Sequence, residues 1–259
     1  MALGAARPSA AQTTDERNQQ TFYTRHDAAI GGAFLAASAG LSLFDPKIAH
    51  FFEDTTWRHV RVGRKVDHLF SRVNETTLTV GGLALFGIGR LTGQRTMADV
   101  AFHVSESVFA ASITSQVIRG PLGRTRPRDA DKPYENQYDF RFMQGFRHFQ
   151  QRAFPSIHSS SGFAAASVLV AEVHHRDPGA TYLVAIPAYA IALTPGLSRM
   201  YLGQHWASDI FAGAFMGAFY GWRIVDYSFA HGTTPVDRRF LGAKGDRRPP
   251  VRIGWSFEF

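Results

Sequence analysis

The chain has 259 residues, a formal net charge of +7 and no cysteine. That length holds one large domain or two small ones, with roughly 70–75% of the unfolded surface buried on folding. The absence of cysteine excludes disulfides, zinc–thiolate sites and thiol nucleophiles, and the basic balance suits anionic partners such as phosphate groups, acidic lipids or nucleic acid.

Residues 1–25 are polar and read as a tail. Within it, Ser9-Ala10-Ala11 has the small-residue character of a leader cleavage site. Two readings of this stretch stand: the remnant of an export signal, or a plain tail. Ala28 to Phe44 carries no charge and lies at the lower length limit of a membrane-spanning helix. Asp45-Pro46 stops it. Ile48 to Lys65 mixes aromatic and basic residues, as an interfacial or surface segment does. Thr77 to Gly89 is a second uncharged stretch. Ala98 to Ile118 is helical in pattern, with Val100, Val104, Val108, Ile113 and Val117 at helical spacing. Glu106 lies within it and is read as a pairing partner for an arginine or as part of a polar face.

Gly120 to Gln151 changes character, with prolines, Asp129, Asp131, Lys132, Tyr134, Tyr138 and repeated Phe and Arg. This predicts a long polar loop, and loops of that length in a compact domain are commonly functional. The tyrosines line an entrance or pack the loop. Helical patterns resume over Ser159–His174, Ala180–Leu197 and Trp206–Tyr227. His174-His175 lacks a third ligand at useful spacing and reads as an exposed helix end. Gly213, Gly217 and Gly221 recur every four residues, which lets helices pack closely, in membranes especially; a tightly packed soluble core uses the same pattern.

The tally is an all-α bundle of about six helices, membrane-associated, with the polar loop in its middle. Charged residues at 19% and 22 phenylalanines favour the membrane. The short uncharged runs and a mean hydropathy of −0.14 leave a soluble bundle as the alternative. The last nine residues, VRIGWSFEF, alternate at strand period and predict a short terminal strand or a frayed tail. The domain reading is a tail over 1–25, a helical domain over 26–232 and a C-terminal tail over 233–259.

Three segments carry chemistry: RGPLGRTRP from Arg119, PSIHSSS from Pro155 and SRMYLGQHWASD from Ser198. His205 and Asp209 are four apart, so a helix puts both on one face. Asp209 then accepts a hydrogen bond from one ring nitrogen, leaving the other lone pair outward as a nucleophile toward phosphorus. Arg119, Arg126 and Arg199 suit the oxygens of a phosphoryl group. His158 suits proton transfer to a departing alkoxide. Ser156 offers a hydroxyl, and the helix start after Pro155 an anion site.

Together these segments resemble the type 2 phosphatidic acid phosphatase and vanadium haloperoxidase superfamily, whose pattern is K-x(6)-R-P, then P-S-G-H, then S-R-x(5)-H-x(3)-D. Ser198, Arg199, His205 and Asp209 fill the third motif, Pro155, Ser156 and His158 the second, and Arg126 and Pro127 the first. The resemblance runs from about residue 77 to 225. It implies an all-helical bundle, often of six membrane helices, with the site at one end. By position it makes His205 the nucleophile forming a phosphohistidine, Asp209 its orienting partner and His158 the acid, with Arg119, Arg126, Arg199 and Ser156 as phosphate ligands. It implies no metal and no cofactor for the phosphatases, and vanadate for the haloperoxidase branch. Two positions depart: Arg119 stands for the family lysine, and Ile157 for the family glycine. The first makes a peroxidase role less apt. Because Ile avoids positive φ, either the turn forms with ordinary backbone angles or the oxyanion geometry shifts.

The expectation is a metal-independent phosphatase for a monoester or diphosphate, of a lipid by preference, in a bacterial-type cell envelope. Its site would face the non-cytoplasmic side, and no nucleic-acid partner is expected. The alternatives are a broad-specificity exported acid phosphatase in the periplasm or secreted, a vanadate-dependent haloperoxidase, and a non-enzymatic membrane scaffold.

Overall fold

The computed structural model describes residues 22–54, 74–131 and 137–231. The expected N-terminal tail up to Thr21, the interfacial stretch beyond Asp54, Tyr134 and the alternating C-terminal segment lie outside the described residues. Within them stand seven α-helices: α1 Arg25–Ser42, α2 Asp45–Asp54, α3 Glu75–Leu91, α4 Arg95–Leu122, α5 Ile157–Arg176, α6 Thr181–Tyr201 and α7 Ala207–His231. Among the described residues there is no strand, only an isolated bridge between Arg124 and Phe140.

The helices begin where capping chemistry allows. Thr24 and Asp27 form a reciprocal capping box at α1, Asn74 caps α3 and Ser156 caps α5. Asp45-Pro46 ends α1 as expected, yet it also opens α2. Proline is tolerated in a first turn, where its missing N–H has no intrahelical partner to lose. α4 ends at Gly123 in the left-handed conformation, φ 62°. A Cβ there would also lie 2.0 Å from the Arg141 carbonyl oxygen. That turn sends Arg124 to Arg126 across the end of the bundle.

The bundle centres on α5, which packs against α4, α6 and most extensively α7. Glycines permit the α5–α7 approach: a Cβ at Gly213 would stand 2.3 Å from the Ser156 carbonyl oxygen, and one at Gly217 2.0 Å from that of Ser160. The interior is built of small and polar residues, among them Ser115, Ser159, Ser160, Ser161, Ser167, Ala111 and Ala164. The outside carries Leu83, Ile88, Phe109, Val117, Leu183, Ile186 and Leu193. Of the described helices, the stretch Pro178–Tyr201 alone is long and apolar enough to cross a membrane. The bent pair formed by α1 and α2 adds a second if it counts as one span.

The described residues of the loop between α4 and α5 include short 3-10 turns at Pro127–Asp129, Gln144–Phe146 and Phe149–Gln151. Its chain brackets the arginine segment from both sides. Thr125 N–H donates to Asp139, Arg126 N–H to the Gln150 carbonyl and Ala153 N–H to the Arg124 carbonyl. Tyr138 packs toward α1, its hydroxyl 3.1 Å from that of Ser42.

Candidate active site

The three chemistry-bearing segments meet at one end of the bundle. Arg119 is in the last turn of α4, Ser156 and His158 open α5, Arg199 is in the last turn of α6, and His205 precedes α7, whose first turn holds Asp209. Backbone bonds tie these pieces together: Ser156 N–H donates to the Asp209 carbonyl (3.0 Å) and Arg128 N–H to that of Gly203 (2.9 Å).

His205 is 3% exposed. Its Nδ1 donates to the carbonyl oxygen of Ala153 at 2.6 Å, which fixes the tautomer and leaves the Nε2 lone pair outward. The sequence predicts Asp209 as that acceptor. The structure instead puts Asp209 Oδ2 3.7 Å from Nδ1, where it acts through its charge. Oδ2 accepts the Trp206 backbone N–H at 2.8 Å, and Oδ1 accepts from Arg124 at 2.5 Å. Burial pushes the His205 pKa down to about 4 against the opposing pull of Asp209, so the ring rests neutral near pH 7.

His158 accepts at Nε2 from the Arg199 guanidinium at 2.6 Å, which places its proton on Nδ1. Burial, then the charges of Arg199, His205, Arg119 and Arg126, lower its pKa to about 3. Ser156 is fully buried, and its Oγ accepts the Ser159 N–H. Ile157 takes the first helical position of α5. Among the described residues only Met143 has positive φ without being glycine. The turn into α5 therefore forms with ordinary backbone angles despite the missing family glycine.

Arg119 and Arg126 are 5% and 2% exposed. Arg119 donates to the Arg152 carbonyl, and Arg126 to the Gln204 side chain while stacking 3.9 Å over the Phe149 ring. Among the described residues neither pairs with a carboxylate, and the Nε of each is buried without a hydrogen-bond partner. Burial followed by neighbouring cations lowers Arg126 to about 9, and Arg119 falls to about 10, with Arg152 as the adding charge. Glu75 and Asp209 act on Arg119 and Asp129 on Arg126 only at longer range, so two buried guanidiniums with no carboxylate in contact leave room for an anion to complete them.

Some participants were not read from the sequence as parts of the site. The Ala153 carbonyl holds His205, Gln204 holds Arg126, and Trp206 Nε1 ties the α7 entry to the Thr125 carbonyl at 2.8 Å. Arg124 lies within the segment RGPLGRTRP, but its carboxylate partners, Asp45 and Asp209, lie far away in the chain. Elsewhere, His175 pairs with Asp226 (2.7 Å) and His174 contacts Thr181 at the far end of the bundle.

Comparison with known families covers these segments. The PAP2 superfamily model covers residues 100–232. A lipid A 4'-phosphatase of Bacteroides thetaiotaomicron is 30% identical over 143 residues, 52% of this chain and 59% of the relative. A lipid A 1-phosphatase of Porphyromonas gingivalis is 38% identical over 69 residues, 27% of this chain and 15% of the relative. This chain thus spans less than two thirds of either protein. The crystal structure of a transmembrane PAP2-type phosphatidylglycerolphosphate phosphatase from Bacillus subtilis aligns over 76% of this chain and 98% of its own, at 19% identity and a TM-score of 0.35.

Proposed function

The chain belongs to the PAP2 superfamily, and from that premise we propose that it is a phosphoric ester hydrolase that removes phosphate from a phosphorylated lipid, with His205 as nucleophile. The observation that carries this reading is the pair of buried guanidiniums, Arg119 and Arg126, facing a neutral imidazole without a carboxylate partner. A dianionic phosphoryl group supplies the contact charge that neither guanidinium has, and Arg199, Ser156 and the positive end of α5 add donors.

In the proposed reaction His205 Nε2 attacks phosphorus and the ester P–O bond breaks. The three guanidiniums hold the equatorial oxygens, where charge spreads. The leaving alkoxide takes a proton from His158. That proton arrives with the substrate: a bound dianion beside His158 raises its affinity for protons, so binding takes one up from solvent. His158 then removes a proton from water, which attacks the phosphohistidine, releases inorganic phosphate and restores His205. The cationic charge of this route comes from arginine side chains, so it runs without a metal.

Two features favour a lipid. An apolar groove of about 240 Å³ runs between α1, α4 and α7, lined by Phe34, Leu35, Ile118, Phe215 and Phe219. It reaches Phe154 and Pro155, which lead directly into Ser156 and His158. The outward faces of the helices are themselves apolar, as in a bundle surrounded by acyl chains. The relatives' names, lipid A phosphatases, point the same way.

The test is phosphate release from phosphatidate in mixed micelles and from p-nitrophenyl phosphate, both with chelator present. Both substrates should turn over, phosphatidate with the higher kcat/KM, and His205→Ala should lower both by at least about 10³-fold. Turnover surviving in His205→Ala sinks the nucleophile. Preference for the small ester moves the assignment to a broad-specificity phosphatase. Halide oxidation dependent on vanadate moves it to the peroxidase branch.

A further inference from the structure

Behind His205 lies a chain of three buried charges, Asp45–Arg124–Asp209. All are essentially sealed from solvent, at 0%, 2% and 0% exposed. Arg124 Nη1 donates to Asp209 Oδ1 at 2.5 Å and to the Ser208 hydroxyl at 2.8 Å. Arg124 Nη2 donates to Asp45 Oδ2 at 2.8 Å. Asp45 in turn accepts the Ser208 backbone N–H at Oδ1 (3.0 Å) and the Ser208 hydroxyl at Oδ2 (2.5 Å). The remaining Arg124 donors reach the Gln137 carbonyl, and the guanidinium lies over the Trp206 ring. Every polar arm of the chain is thus satisfied, which an isolated buried ion cannot achieve.

The arrangement has a consequence for the nucleophile. With Oδ1 of Asp209 held by Arg124, Oδ2 is aimed at Trp206 N–H and at the His205 ring. An Arg–Asp pair alone would be neutral and offer the ring little field. Burial raises the Asp45 pKa while Ser208 and Arg124 oppose it; as a carboxylate Asp45 leaves the chain with one net negative charge beneath an imidazole that becomes cationic when phosphorylated. Asp45 is the first residue of α2, outside the 100–232 segment matched by the family. Resting on the reading of His205 as nucleophile, we propose that Arg124 and Asp45 are positioning residues of the active site: they aim Asp209 at His205 and set the charge behind it, so the N-terminal helix pair completes the catalytic end.

The experiment compares Asp45→Asn, Asp45→Glu, Arg124→Gln and Arg124→Lys with the wild type on p-nitrophenyl phosphate, each rate referred to folded protein. Asp45→Asn should lower kcat by tenfold or more with KM within about threefold, because the phosphate ligands are untouched. Asp45→Glu should recover part of that loss. The acid limb of kcat/KM should move to lower pH in Asp45→Asn, which removes a negative charge, and to higher pH in Arg124→Gln, which removes a positive one. The ring also faces Asp209, Arg119, Arg126 and His158, which all four variants retain. Opposite displacements are not produced by loosened packing. Wild-type kcat and an unmoved acid limb in Asp45→Asn overturn the proposal. So does a variant set that loses folded protein while the folded fraction turns over at the wild-type rate and pH profile; Arg124→Lys, which keeps the charge, supplies that fraction if Arg124→Gln does not fold. His205→Ala is run alongside: turnover there defeats the nucleophile reading, a result separate from the behaviour of Asp45.

Discussion

His205 is sealed from water, and its ring shares a pocket with Arg119 and Arg126 as well as with Asp209. Its pKa near 4 in the folded state, against about 6.5 unfolded, has a thermodynamic consequence. Between those values the unfolded chain binds a proton that the folded chain refuses. Stability therefore falls as pH drops from about 6.5 toward 4, and the contribution is fully present above 6.5. Each unit of depression is worth about 1.4 kcal/mol. The thermal midpoint of purified protein should fall between pH 7 and pH 5, and His205→Asn should make that decline shallower. Equal slopes in the two proteins would show that His205 is not held neutral by burial. The residues of this pocket were legible to different degrees. Arg126, Ser156, His158, Arg199, His205 and Asp209 stand at the motif positions through which the sequence resembles the superfamily. The carbonyl of Ala153 is invisible in a sequence, because every residue has one. Asp45 and Arg124 are 79 positions apart, and no local spacing records their pairing.

At the scale of elements, the placement of Ser156 and His158 relative to Asp209 depends on how closely α5 and α7 approach. The four-residue recurrence of Gly213, Gly217 and Gly221 made that contact readable in advance, since only a face without side chains admits a neighbouring backbone. A Cβ at Gly217 would meet the Ser160 carbonyl oxygen at 2.0 Å and the Ala164 nitrogen at 2.8 Å, and neither backbone atom can swing aside. Gly217→Val should therefore push α7 from α5, lower the thermal midpoint and cut turnover by tenfold or more. Gly87→Ala in α3 meets nothing within 4 Å and should leave both unchanged or slightly raise stability, as alanine favours helix by up to about 1 kcal/mol. A midpoint in Gly217→Val equal to that of Gly87→Ala would refute the tight α5–α7 seam. The helix α2 was not legible in the same way. Asp45-Pro46 carries the signature of a stop, and a proline that ends one helix looks identical in sequence to a proline that begins the next.

Among the described residues many large apolar side chains lie on the outside, while small ones line the seams. Serine, alanine and glycine fill the seams between helices, while leucine, isoleucine, valine and phenylalanine face outward from α3, α4 and α6. In water such a surface would associate, whereas in a bilayer it is solvated by acyl chains and close packing of small residues holds the helices together. The sequence alone left the soluble bundle open, because its uncharged runs are short and the same small-residue stripe serves both solvents. The three-dimensional placement of the large apolar residues on the outside favours the bilayer. Ile186 offers a test, being 72% exposed and well inside Pro178–Tyr201, the helix with the length and composition to span. Ile186→Lys on the surface of a soluble bundle should change stability by no more than about 0.5 kcal/mol. Within a bilayer the same charge costs about 3 kcal/mol near the middle of a span. The membrane reading therefore predicts that wild-type protein stays with the membrane pellet through a high-salt wash and is released by detergent. It predicts in addition that Ile186→Lys sharply lowers the amount recovered in that fraction. Wild-type protein in the salt-washed supernatant, or undiminished recovery of Ile186→Lys, would assign the apolar exterior to contacts with protein in place of lipid.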